Sequence, residues 1–405
     1  MDGAAHNPGE LPEAAGKKGK RPKWALAMIF LANGAGFGTW ATHVPVFKQF
    51  LHIENGSLTL VLTSFIVGAI VSMPITGQLI ARYGSRRITR IAAISYVLMI
   101  GVLAQASNFL LFLIFAGLFG AANGALDIAM NANAVTVEKH YMRSSMCLFQ
   151  GCWSAGGLLG AASAGLMLKH QGTALTDLSL IAILLGLCCI VSLPMLVDDV
   201  TRPSRSKFVW PDTALFRIAI LAAFGLLAEG AIADWASVYL HSNLGVTLPL
   251  AAAGYAAYAI AMTAARFSGD WLTRRFSEKN ILHASGLLIA VGMACTLLSH
   301  SWWPAVFGLV LAGAGIANIV PVIWGMAGRD TRMGSGPAIS AAATIGYCAL
   351  LTGPPIIGSL SVLVGLRRAM TVIVAAGIIV AAGPMFFPLY STSPLAKEES
   401  VATET

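Results

Sequence analysis

Three carboxylates, Asp127, Glu229 and Asp234, lie inside long apolar stretches of this chain rather than in the gaps between them. Two asparagines flank the first: Asn123, Asp127 and Asn131 recur at i, i+4 and i+8, so a helix aligns them as one polar stripe. An ionised carboxylate at the centre of a bilayer costs roughly 2.5–3.5 kcal/mol on insertion scales. Such a group needs a proton, a partner or a water-lined cavity. Low dielectric disfavours the charged form of a carboxyl group. A carboxyl that is neutral in one conformation and ionised in another can couple proton movement to a conformational change. Glu229 and Asp127, with Asp234 behind them, are therefore the candidate proton sites, and a solute moving across a membrane is the chemistry they suggest.

The elements that must hold them are helices. Of the 405 residues, 57% are hydrophobic and 11% charged, and mean hydropathy is +0.74. A soluble domain carries about 25% charged residues, so a large soluble core is excluded. Apolar segments run over 24–46, 57–81, 91–106, 109–137, 147–168 and 178–197, then 215–240, 248–269, 281–299, 302–327, 338–364 and 369–390. Most reach the ~20 residues that a helix needs to cross a ~30 Å hydrocarbon layer; the third is short. Their Gly- and Ala-rich composition, without polar–apolar alternation, argues against a β-barrel.

Basic residues set the expected orientation. With the N-terminus inside, every Lys and Arg but Lys48, Lys169, Arg367 and Arg368 is assigned to the inner side, Arg266, Arg274 and Arg275 among them. The positive-inside rule then puts both termini in the cytoplasm. It also explains the net charge of +8 better than nucleic-acid binding does. Residues 1–22 read as a solvated tail, 23–197 as one six-helix unit, and 198–214 as a cytoplasmic linker. A second six-helix unit spans 215–390, and 391–405 form a polar tail. All six cysteines lie in apolar segments, with neither metal-ligand spacing nor an expected disulfide.

The two units repeat each other. Gly77-Gln-Leu-Ile-Ala-Arg82 after the second segment parallels Gly269-Asp-Trp-Leu-Thr-Arg274 after the eighth. Leu31-Ala-Asn33-Gly34 parallels Leu227-Ala-Glu229-Gly230, and Gly117, Gly124 and Asp127 parallel Gly308, Gly315 and Asn318. A six-plus-six repeat with solute held between the halves is a known transporter architecture.

At these residues the chain resembles the major facilitator superfamily. Gly77-x-Leu79-x-x-Arg82-x-Gly84-x-Arg86-Arg87 is similar to that superfamily's signature between helices two and three, except that Ala81 replaces the usual Asp. Asp270 occupies a different position of the second copy. Asn123–Ala132, Gly151-x-Trp153-Ser154-x-Gly156-Gly157, Ala228–Trp235 and Gly353–Gly358 resemble the YbjJ-type bacterial inner-membrane branch and, more distantly, proton-coupled sugar permeases of the fucose type. The resemblance implies an all-α fold of twelve transmembrane helices in two pseudo-symmetric bundles, with helices one, four, seven and ten lining a central site. It implies a monomeric secondary transporter of the bacterial inner membrane, working by alternating access.

Within that frame the substrate-contacting candidates are Asn33, Trp40, Asn123, Asn131, Gln150, Trp153, Trp235, Asn318 and Tyr347. Aromatic rings suit the apolar faces of a sugar, polyol or amino-cyclitol, and an amine on the solute would match the carboxylates. The gating candidates are Gly77, Arg82, Gly84, Arg86, Arg87, Asp270 and Arg274. Pro321 and Pro354-Pro355 interrupt backbone hydrogen bonding in helices ten and eleven. His43 is a further hydrogen-bonding side chain near a helix end.

The expected activity is proton-coupled symport of a small polar solute, with protons, solute and lipid as partners. Export of drug-like or metabolite cations is the alternative within transport; a channel or a transporter-like sensor is the alternative outside it. There is no G-x-x-x-x-G-K-[ST] and no metal or nucleophile constellation, so the expectation is no cofactor, no nucleic acid and no enzyme activity.

Overall fold

A computed structural model describes residues 20–52, 55–169, 173–198, 212–330 and 332–386. The expected tails, and most of the expected linker, lie outside the described residues. The first half contains α1 (Lys20–Phe50), α2 (Asn55–Tyr83), α3 (Ser85–Leu103), α4 (Phe109–Tyr141), α5 (Met146–Lys169) and α6 (Ala174–Ser192). The second contains α7 (Thr213–Leu244), α8 (Leu248–Arg275), α9 (Glu278–Leu298), α10a (Trp302–Ile316), α10b (Ile319–Gly328), α11 (Ser335–Val364) and α12 (Thr371–Phe386). A single helical turn, Leu366–Ala369, precedes α12. Ten of these spans, α10a with α10b counted as one, are long and apolar enough to cross a membrane. No strand occurs among the described residues.

Local sequence explains several boundaries. The Asn108 side chain accepts the Leu111 N–H at 3.0 Å to start α4, and Asp212 does the same for Leu215 at 2.9 Å to start α7. One boundary differs markedly from expectation. The third span begins at Ser85 rather than near 91, because Arg86, Arg87 and Arg90 form its first turns instead of a loop. Arg86 pairs with Asp198, and Arg90 donates to the Leu193 carbonyl at 2.9 Å. The signature between helices two and three is consequently almost all helical. Gly84 alone breaks it, at φ 84°, a conformation that favours glycine.

Helix ten is broken at Ala317–Asn318. Pro321 has no N–H to offer the Ala317 carbonyl four residues earlier. The Arg266 guanidinium supplies the missing donor, Nε to the Ala317 oxygen at 3.3 Å. Helix eleven, by contrast, continues through Pro354-Pro355.

Small residues let the helices within each half approach closely. α1 lies on α5 through Gly34, Gly156 and Gly160, and α2 lies on α4 through Gly68, Gly120 and Gly124. A Cβ added at Gly120 would fall on the Phe65 carbonyl, which is backbone and cannot rotate aside. Overpacking of this kind costs about 1–3 kcal/mol. Gly120→Ala is expected at the top of that range, read as a lowered midpoint of thermal unfolding in detergent.

Candidate functional site at the seam between the halves

Four of the expected site residues form one hydrogen-bonded chain. Within α4, Asn131 donates its Nδ2 to the Asp127 Oδ1 at 3.1 Å and to the Asp127 carbonyl at 2.8 Å. Gln150 of α5 donates to the Asn131 Oδ1 at 2.9 Å. From the other half, the Tyr347 hydroxyl of α11 donates to the Asp127 Oδ2 at 3.0 Å. Asp127, Asn131 and Gln150 are buried. Both carboxylate oxygens of Asp127 accept hydrogen bonds, which is how a carboxylate or its protonated form is tolerated away from water.

Beside it, Asn33 of α1 donates to the Asn123 Oδ1 at 3.0 Å and accepts from the Trp153 Nε1 at 2.8 Å. Its backbone carbonyl accepts from Tyr96 at 2.6 Å. Asn123 thus remains on the Asp127 face of α4 but bonds to the first helix rather than to Asp127. Gly120 and Gly124 on α4 admit the backbone of α2 at Phe65 and Ala69.

Glu229 has a partner that sequence reasoning assigned elsewhere. Arg266 counts, by sequence, with the basic residues of the inner boundary; it is 3% exposed within α8. Its Nη2 lies 3.3 Å from one Glu229 oxygen and 3.5 Å from the other. The same guanidinium donates to the Ala317 carbonyl in the break of helix ten and to the Ser154 hydroxyl of α5, across the seam. Arg266 therefore gathers three helices of two halves around one carboxylate. The available signal was its spacing: Arg266 and Asp270 are four residues apart on one face of α8, which makes Arg266 part of a polar face and not of a boundary.

Toward the basic end, a carboxylate from each half completes the start of α5. The first N–H groups of a helix have no intrahelical acceptor. Glu138 accepts those of Ser145 and Met146 at 2.6 and 2.8 Å, and Asp270 accepts those of Cys147 and Leu148 at 3.0 and 3.2 Å. Asp270 does so from the opposite half. Nearby, Thr273 donates to Ser144 at 3.1 Å, and Ser340 donates to the Met73 carbonyl at 2.8 Å, beside Gly77. Ala81 leaves the first copy of the motif without a carboxylate, and this second-half carboxylate makes the inter-half contact.

Other expected site residues stand apart. Trp40 is 3% exposed and surrounded by Phe65, Phe112 and Phe119, so it is a core residue of the first half rather than a pocket wall. The aromatic cluster buries its ring more completely than a wet cavity would. Asp234 is exposed on α7 and forms no part of either polar cluster. Trp235 covers Gly358 of α11, and Asn318 sits in the break of helix ten with its Nδ2 3.4 Å from the Ala265 carbonyl. The Asn318 Oδ1 is buried with no partner among the described residues. Arg82, Arg87 and Arg274 are all exposed, the first two flanking the Tyr83 ring.

One buried carboxylate was missed altogether. Asp177, at the start of α6, holds the His43 Nε2 at 3.1 Å, while the His43 Nδ1 faces the Thr39 carbonyl at 2.9 Å. Both side chains are fully buried within the first half, and neither bonds to the Asp127 chain among the described residues. Asp177 lies in the first turn of its helix, where a carboxylate reads as an ordinary complement to the helix dipole.

Comparison with known proteins agrees with this architecture. The family model of the Major Facilitator Superfamily matches residues 25–336. An uncharacterised MFS-type transporter of Yersinia pestis is 31% identical over 374 residues, covering 91% of this chain and 97% of the relative. Membrane protein MosC of Rhizobium meliloti is 31% identical over 394 residues, covering 96% and 93%. Among solved structures, FucP in the outward conformation superimposes with a TM-score of 0.76 at 17% identity, covering 91% of this chain and 99% of FucP. These matches, with twelve helices in two bundles, make this multi-pass membrane chain a transporter rather than an enzyme, and it belongs to the major facilitator superfamily.

Proposed function

We propose that the chain carries a small polar organic solute, a sugar, polyol or amino-cyclitol, across the bacterial inner membrane by proton-coupled alternating access. The observation that carries this reading is the pairing of Glu229 with Arg266 beside the Asp127–Tyr347 contact, all at the seam of the two halves. Protonating Glu229 would release Arg266 from its carboxylate, and protonating Asp127 would alter the link to Tyr347. Each event changes a bond that spans, or sits against, the seam. A proton can thereby bias which side is open. Such coupling requires a differential interaction with the two states, and groups shared between the halves provide one.

The solute would meet Asn33, Asn123, Asn131, Gln150 and Trp153 from the first half, and Trp235, Asn318 and Tyr347 from the second. Amide and hydroxyl groups beside indole rings suit a hydroxylated ring better than an ion. The neighbour FucP, described as a fucose:proton symporter of E. coli, has a similar fold and supports a sugar-like solute as the first to test. Arg266 already neutralises Glu229, which favours this reading over the export of cations. The two units 23–197 and 215–390 would move as the rocking bodies, with both termini cytoplasmic and a single chain as the working unit.

The contacts joining the halves run from mid-seam toward the basic end, through Ser154, Cys147, Ser144 and Met73. We read this as the outward-facing form, with Asp270 and Arg274 as a latch on α5, and with Gly77, Arg82, Gly84, Arg86 and Arg87 serving the gate separately where α2 meets α3, Gly77 being packed against α11. Asp270→Ala should loosen the latch. Cys147, 1% exposed beneath it, is then expected to react with a maleimide several-fold faster in a background lacking the other cysteines. Unchanged labelling would remove the latch. The solute class is tested by thermal-shift screening of sugars, cyclitols, amines and cationic drugs: stabilisation by neutral polyols supports the proposal, and stabilisation by drug-like cations alone contradicts it.

A further inference from the structure

A groove of about 570 Å³ lies outside the seam, between α2, α3 and α4. Its walls are apolar, with Leu79, Ile88, Ile91, Met99 and Leu118 prominent, while Tyr83 and Arg87 stand at its basic end. Ile91 is 53% exposed and Leu118 49%, so the groove opens on the outside of the bundle, which in a membrane protein faces lipid. At the mouth, the guanidinium carbons of Arg82 and Arg87 sit 5.2 and 5.5 Å from the centre of the Tyr83 ring. Gly84, with its positive φ, turns the chain so that Arg82 ends one helix and Arg87 begins the next.

Several other arginines at this end have carboxylate partners. Arg86 pairs with Asp198, Arg329 with Glu278, and Arg332 with Asp212 and Asp330. Among the described residues neither Arg82 nor Arg87 has a carboxylate partner; each has only the Tyr83 ring. Two uncommitted guanidinium groups, at the polar end of a lipid-facing apolar groove, form a charge-complementary seat for one kind of occupant. A phosphate suits the planar donor forks of arginine, and an acyl chain suits the wall below it.

We propose that this groove is a binding site for one anionic phospholipid, with the headgroup phosphate on Arg82 and Arg87 and an acyl chain along α2, α3 and α4. Zwitterionic lipids carry a compensating cation and lose most of the attraction, so the site should select by headgroup charge.

Native mass spectrometry of the full chain in detergent tests this, with added phosphatidylglycerol and phosphatidylcholine of matched acyl chains. The expected result is a retained phosphatidylglycerol adduct and a weak phosphatidylcholine one. Arg82→Gln with Arg87→Gln should weaken phosphatidylglycerol binding roughly 30-fold, the loss expected for two basic contacts at a membrane surface. The double Lys variant should keep most of it. Ser95→Trp, which fills the groove without touching either arginine, should also displace the lipid. Equal retention of both lipids, or full retention by the double Gln variant, would overturn the proposal. Displacement of the lipid by millimolar glycerol 3-phosphate would overturn the acyl-chain part, because the headgroup alone would then account for binding.

Discussion

Glu229→Gln is expected to destabilise the protein by about 3–5 kcal/mol, the cost of removing one partner from a buried ion pair. The asymmetry of the pair makes this the worse of the two single losses. Arg266 cannot shed its charge and its side chain is 4% exposed, whereas the Glu229 side chain is 18% exposed. Among the described residues, a guanidinium left without its carboxylate keeps the Ala317 carbonyl and the Ser154 hydroxyl. Arg266→Gln should cost less, because Glu229 can take up a proton and become neutral once its partner is gone. The double variant Glu229→Gln, Arg266→Gln should recover much of the loss, because no uncompensated charge remains. Thermal unfolding of all four proteins in one detergent forms the double-mutant cycle that isolates the pair. A single loss near zero, or strict additivity, would mean that the two side chains do not depend on each other.

Asp127→Asn should separate stability from transport. Asparagine can still turn its oxygen to the Asn131 amide and its amide to the Tyr347 hydroxyl, which is able to accept. The chain of hydrogen bonds through Asn131 and Gln150 would then survive, at a stability cost of about 1 kcal/mol. Proton carriage would not survive, since an amide does not titrate. The variant is expected to bind its solute and exchange it down a concentration gradient, while accumulation against that gradient disappears. Tyr347→Phe removes the donor from the other half and leaves Asp127 able to titrate, so it should reduce accumulation without abolishing it. Uptake and counterflow in proteoliposomes distinguish the two outcomes. Accumulation at the level of the unmodified protein in Asp127→Asn would exclude Asp127 from coupling.

How much of this was legible in the chain depended on range. The spans, the six-plus-six division and the α4 stripe follow from runs and periodicities, and Asp127 and Asn131 are joined accordingly. Pro321 marked the break in helix ten for a local reason, the missing N–H. What no local pattern carries is the identity of a neighbour on another helix. Arg266 lies so close to the basic boundary that its sequence position suggests a topology signal, yet α8 turns it inward to Glu229, Ser154 and Ala317. Trp40 has the composition of a pocket residue and lies in a cluster of phenylalanines, because α1 turns that face toward α2 and α4. Asp177 and His43 are far apart in sequence and meet only where α1 and α6 pack. Tyr347 was expected near the solute but not as the group reaching Asp127 from the opposite half.

The measurement that bears most directly on proton coupling at the seam uses purified protein in liposomes and the solute that stabilises it best. Accumulation is followed with and without an imposed pH gradient. Uptake should rise well above equilibrium only with the gradient, and Asp127→Asn should abolish the rise while leaving exchange intact. Equal accumulation under both conditions would contradict it.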